Sequence, residues 1–172
     1  ELQHNNPTFT DRDGKRRRTV GWEYVHIAVD DYSRLAYAEV LDDEKATTIA
    51  GFLRRAVTFY ARHAITVERI LTDNGSGYLS HTFAERCTQL QIKHSRTRPR
   101  RPQTNGKAER FIQTITREWA YARSYKSSNQ RATYLPHFLF DYNYHRPHSA
   151  LNSLPPISRL TISADNLLTI NS

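Results

Sequence analysis

The chain has 172 residues, of which 38% are hydrophobic and 24% charged, and its formal net charge is +8 at pH 7. This is one domain's worth of chain with enough apolar residues for a core, which excludes a disordered polyelectrolyte. Its single cysteine, Cys87, excludes an internal disulfide framework, and no membrane-length apolar run, signal peptide or repeat appears.

Residues 1–21 are polar, with Asn5, Asn6, Pro7, Asp11, Asp13, Gly14 and the run Lys15-Arg16-Arg17-Arg18. They read as a basic flexible loop able to touch phosphates. Trp22–Val29 alternates and is rich in Tyr, Val and Ile, which predicts a strand, and Arg34–Leu41 reads as its antiparallel partner. Asp30-Asp31-Tyr32-Ser33-Arg34 is the turn between them. Its adjacent carboxylates admit a metal reading, but turn chemistry accounts for them better. Thr48–Ala64 places Ile49, Phe52, Leu53, Ala56, Val57 and Tyr60 at helical spacing, and Val67–Thr72 follows as a strand parallel to its predecessor. His81–Leu90 is a short helix with Phe83, Cys87 and Leu90 inward, so Cys87 reads as a buried structural thiol. Ile92–Thr97 is the last strand.

The segment that follows carries the charge. Between Lys93 and Arg131 eleven Lys or Arg stand against Glu109 and Glu118, a net of +9, so the remainder sums to about −1. A solvated helix face mixes signs, and this segment barely does, which favours a polyanionic partner. Pro99 and Pro102 cannot sit inside a helix, so a helix begins near Asn105. Phe111, Ile112, Ile115, Trp119 and Ala122 form its apolar stripe, while Lys107, Arg110, Thr114 and Arg117 form a basic one. After Arg123 the pattern breaks. Arg131–Tyr142 resumes as a helix with Tyr134, Phe138 and Tyr142 inward, and Pro136 must sit near its start or kink it. Asn143-Tyr144-His145-Arg146-Pro147-His148 reads as a structural turn orienting the helix end, and the sequence from Leu160 reads as a weak tail. The expected organisation is a basic segment at 1–21, a core at 22–125, a helix and Arg-Pro-His turn packed on it at 126–160, and a tail at 161–172.

Two carboxylates stand out. Asp73 ends an apolar strand in Thr72-Asp73-Asn74-Gly75, at the carboxyl end where open α/β sheets keep their sites. By itself it is equally a turn aspartate before Asn-Gly. Glu109 falls on the first turn of the basic helix, in Asn105-Gly106-Lys107-Ala108-Glu109-Arg110-Phe111. By itself it is a capping or dipole-compensating glutamate.

Together these two stretches, with 35 residues between Asp73 and Glu109, resemble the integrase catalytic core shared by retroviral integrases and bacterial insertion-sequence transposases. The resemblance runs from about Gly21 to Leu160, and the Tyr142–His148 stretch inclines it toward the transposases. It implies a ribonuclease H-like α/β fold, a mixed sheet with helices on both faces. The activity implied is metal-dependent DNA cleavage and strand transfer, with Asp73 and Glu109 as catalytic residues and metal ligands for two Mg²⁺ or Mn²⁺ ions. Lys107, Asn105, Arg98, Arg100, Arg101, Arg110 and Arg117 would contact DNA. Transposon ends, target DNA and further copies of the chain would be the partners, on the nucleoid in a bacterial cytoplasm, with no membrane. The family's first aspartate has no counterpart on an apolar strand, since only Glu1, Asp11, Asp13 and Glu23 lie upstream. The strand that carries it is therefore expected to be missing, leaving a sheet edge open beside Val67–Thr72. Two other classes stay open: a DNA-binding fragment or degenerate core without catalysis, and a ribonuclease H-type nuclease.

Overall fold

Val25, Ile27 and Val29 alternate with His26 and Ala28, and both sets are largely buried, so the strand that carries them must be covered on both faces. The computed structural model describes residues 2–10, 16–97, 106–160 and 167–171. In it this strand is β2 (Arg16–Asp30), paired antiparallel with β1 (Leu2–Thr10) at one end and with β3 (Ala36–Leu41) at the other. β4 (Arg69–Thr72) and β5 (Lys93–Arg96) pair in parallel through the helical crossover between them. β6 (Leu167–Asn171) joins the two halves, antiparallel to β2 and parallel to β4. The main sheet therefore runs β3-β2-β6-β4-β5. β4 points the same way as β3, as expected, but β2 and β6 lie between them.

Helices cover both faces. α1 (Ala46–Arg62) and α2 (His81–Gln89) pack with Ala28, Ile70 and Ile170 through Phe52, Leu53, Tyr60 and Phe83. On the other face α3 (Gly106–Ile115), the π turn Thr116–Ala120 and α4 (Ser128–Tyr144) set Phe111, Ile115, Trp119, Leu135 and Tyr142 against Ile27, Val29, Ala36 and Ala38. The period-2 alternation of β2 thus divides its residues between two cores.

Four expectations change. Residues 2–10 and 16–21 are strand rather than loop, because the β1–β2 ladder supplies an order that the polar sequence does not announce. The tail contains β6, and the edge expected to be open beside β4 is covered by it. Ile112 is exposed, and the buried stripe of the helix is Ala108, Phe111, Ile115, Trp119 and Ala120, with the wider π turn bringing Trp119 and Ala120 inward together. In α4 the stripe is Arg131, Leu135 and Tyr142 with Phe138 partly buried, while Tyr134 faces outward under the Arg123 guanidinium at 3.6 Å. Of the two places expected for Pro136, the structure takes the one inside the helix.

Candidate active site and nucleic-acid interface

β4 ends at Thr72, and the chain turns at once. The Asp73 Oδ1 accepts the Gly75 N–H at 2.8 Å, the local bond of an Asx turn. Thr97 N donates to Thr72 O at 2.9 Å and Asn74 Nδ2 donates to Thr97 O at 3.1 Å, which ties this turn to the end of β5. The glycines are needed for space. A Cβ on Gly75 would stand 3.0 Å from Asp73 Oδ1 and 3.3 Å from the Tyr78 ring, and one on Gly77 would stand 2.3 Å from Ile49 Cδ1. Beneath the turn the Thr72 hydroxyl meets His94 Nε2 at 2.9 Å. Burial, with the Arg96 charge secondary, lowers the His94 pKa. Asp73 is thus held half-buried at the carboxyl end of β4, with one oxygen engaged by backbone.

α3 packs on β2 and β6 through Ala108, Phe111 and Ile115, which leaves Glu109 and Arg110 exposed on its first turn and Arg117 exposed on the following π turn. Among the described residues Glu109 forms no ion pair, although Lys107 and Arg110 flank it. Lys107 turns instead to the β2–β3 turn, where Nζ meets Asp31 Oδ2 at 2.5 Å and donates to Asp31 O at 3.1 Å. Asp31 therefore positions a cation, and Asp30 is a buried turn residue whose Oδ2 accepts from Ser33 N and Oγ at 2.7 and 2.6 Å. The turn assignment of this acidic pair stands. Arg98, Arg100, Arg101 and Asn105 lie outside the described residues, and among those described no cluster of three or more His, Cys, Asp or Glu is arranged to hold a metal. No described helix is long and apolar enough to cross a membrane.

Sequence reasoning missed what the Tyr142–His148 stretch does. Asn143 is buried, and its side chain accepts Ala36 N and donates to Ala36 O, both at 2.8 Å, on the edge strand β3. Arg146 pairs with Glu118 through two bonds of 2.5 and 2.9 Å. His148 packs edge-on against Tyr142, and burial, reinforced by the charges of Arg146 and Arg34, lowers its pKa. The conjunction of a buried-face Asn with a following Arg-Pro-His was the available signal, but nothing local to it names Ala36 or Glu118 as partners.

Profiles of the family described as integrase core domain match residues 8–102 and 90–156. The ORF3 protein of a Spiroplasma virus is 28% identical over 150 residues, which is 80% of this chain and 41% of that protein. The Gag-Pro-Pol polyprotein of a simian retrovirus is 30% identical over 129 residues, covering 71% of this chain and 7% of the polyprotein. The chain thus spans less than half the length of these curated relatives. Among solved structures, the catalytic core domain of BIV integrase aligns with a TM-score of 0.62 and 22% identity over 80% of this chain and 86% of that one. A chain of the simian T-cell lymphotropic virus intasome aligns with a TM-score of 0.68 and 19% identity, over 93% and 53%. Those likenesses establish the ribonuclease H-like fold, and with a sequence profile that matches more than half of its length, the chain belongs to the integrase core domain family.

Proposed function

We propose that this chain is the catalytic core of a DNA strand-transfer enzyme of the insertion-sequence transposase kind, cutting and joining phosphodiester bonds at DNA ends in a bacterial cytoplasm. The observation that carries the reading is a pair of carboxylates in family-type settings, Asp73 at the end of β4 and Glu109 on the first turn of α3, neither spent on an ion pair among the described residues. A carboxylate left uncompensated in a basic segment suits a hard divalent cation, Mg²⁺ or Mn²⁺, whose preferred ligands are oxygens. Asp73 and Glu109 would hold it, and when bound such ions offset the charge that builds on the phosphoryl and leaving oxygens.

The remaining work falls to the protein. The Gly75 N–H fixes one Asp73 oxygen and so sets the direction of the other. Lys107, Arg110 and Arg117, with Asn105, Arg98, Arg100 and Arg101 of the preceding segment, bind the phosphate backbone and position the strand without reading its bases. Two DNA ends require two cores, so the working form is an oligomer.

A second reading, a core that binds DNA without cutting it, has one observation in its favour. The strand beside β4 is β6 (Leu167–Asn171), whose five residues include no carboxylate.

The test is a Mg²⁺- or Mn²⁺-dependent joining assay on labelled oligonucleotide ends, run beside DNA binding and thermal melting. Joining by the wild type, and its loss in Asp73→Asn and Glu109→Gln with binding and melting unchanged, is the expected result. Variants that join at the wild-type rate sink the assignment. Salt-dependent binding with no joining by any form selects the second reading.

A further inference from the structure

α3, the β2–β3 turn and the segment after α4 together enclose a cavity of about 600 Å³. Its wall carries Arg34, Lys107, Arg110, Arg117, Arg146 and His148, and neither Asp73 nor Glu109 belongs to it. Two acids stand close, and both are occupied: Asp31 by Lys107 and Glu118 by Arg146. Arg34, Arg110 and Arg117 have no carboxylate partner among the described residues. Arg34 is held in place at a backbone φ of 68°, a conformation that L side chains rarely adopt, by its own N–H to Asp30 O at 2.9 Å. Arg34 Nη1 and His148 Nε2 are buried without a hydrogen-bond partner.

A solvated basic face spreads its cations on a convex surface and interleaves acids. Here cations from three separate elements converge on one concavity, and the nearby acids are already neutralised. Such an arrangement favours a compact anion with several acceptor oxygens, and guanidinium forks match phosphate oxygens in particular.

We propose that this cavity anchors a phosphate group of a DNA strand, gripped by Arg34, Arg110 and Arg117, while Asp73 and Glu109 act on a different phosphate. The inference rests on the reading of the chain as a DNA-binding core. The Arg-Pro-His turn then has a binding role besides its structural one, since it supplies one wall of the anchor. The phosphate has two sources: the 5′ terminus of a strand, or an internal phosphodiester.

Fluorescence anisotropy with 3′-labelled oligonucleotides, 5′-phosphorylated or 5′-hydroxyl, separates the sources. Arg34→Gln and Arg117→Gln are each expected to weaken binding about tenfold, the equivalent of one charge-assisted hydrogen bond. Glu118→Gln, which removes an acid from the wall, tightens it. Arg62→Gln, a cation at the far end of α1 and outside the cavity, serves as the charge-matched control. An effect confined to 5′-phosphorylated strands assigns the terminus, and an equal effect on both assigns the internal diester. Cavity variants that change binding no more than Arg62→Gln overturn the proposal. A titration with inorganic pyrophosphate at constant ionic strength, followed by NMR, addresses the cavity without DNA. Saturable shifts of the Arg34 and His148 side-chain resonances, abolished by Arg117→Gln, support the anchor, and their absence refutes it. Failure of the wild type to bind any DNA overturns the proposed function, and the pyrophosphate result still decides whether the cavity holds phosphate.

Discussion

Replacing Asn143 with aspartate probes how the segment after α4 is fastened to the sheet. The Asn143 side chain is 3% exposed and forms both of its bonds, at 2.8 Å each, with the N–H and C=O of Ala36. Ala36 opens β3, whose only strand partner among the described residues is β2, so the carboxamide stands where the backbone of a further strand would pair. Aspartate keeps the acceptor but sets a charged oxygen against the Ala36 carbonyl. One buried group left unpaired costs about 1–3 kcal/mol, and an uncompensated buried charge raises the loss to about 3–5 kcal/mol. Against a typical stability of about 5–15 kcal/mol that is a large fraction, and at roughly 2–4 °C per kcal/mol the melting temperature falls by about 6–20 °C. The introduced carboxyl, once protonated, can donate to Ala36 O, so its folded-state pKa lies above the unfolded value of about 3.9. The penalty is therefore absent below that value and sets in as pH rises through the folded pKa. Urea unfolding of both proteins at about pH 4.5 and about pH 7.5, followed by circular dichroism, measures the difference in stability at each pH. A difference under about 0.5 kcal/mol at the higher pH, or one equal at both, refutes the argument.

Three further outcomes are expected. Ile170→Ala removes a fully buried side chain of β6 from the core shared with Ala28 and Ile70, and should cost about 2–5 kcal/mol in chemical unfolding, whereas Leu154→Ala, at a 53% exposed site, should cost under about 0.5; equal effects would mean that β6 does not sit in the sheet. His26, His94 and His148 all have pKa values depressed chiefly by burial, so they contribute stability that is complete above their unfolded value of about 6.5 and is lost as pH falls through the lower folded values; a stability profile flat from about pH 7 to pH 5 would contradict this. Duplex binding by the basic segment should weaken with salt at a log–log slope near −5, for about six neutralised phosphates, and a slope near zero in a salt titration would remove the polyanion assignment.

Much of this protein can be read along the chain because its physics is local. The alternation through Ile27 and Val29, the 3.6-residue spacing of Phe52, Leu53, Ala56 and Tyr60, and the prolines that delay α3 each act over a few neighbouring residues. The same holds for Asp73 at a strand end and Glu109 on a first helical turn, so both carboxylates and the family they belong to were visible before any fold was known. Tertiary structure alone decided the rest. β6 is five residues long, too short for a periodic signal, and its place between β2 and β4 is set by backbone groups that two distant strands leave unpaired. Ile112 lies outward because the sheet covers only the stripe of α3 through Ala108, Phe111 and Ile115, and Lys107 is drawn to Asp31 across 76 residues of sequence. Asn143 finds Ala36, and Arg146 finds Glu118, only when α4 has docked. A side chain's own chemistry specifies which partner it can accept, while chain topology determines which partner is within reach; pairings between distant residues therefore follow from the assembled sheet and its helices, and cannot be read from either partner's local sequence.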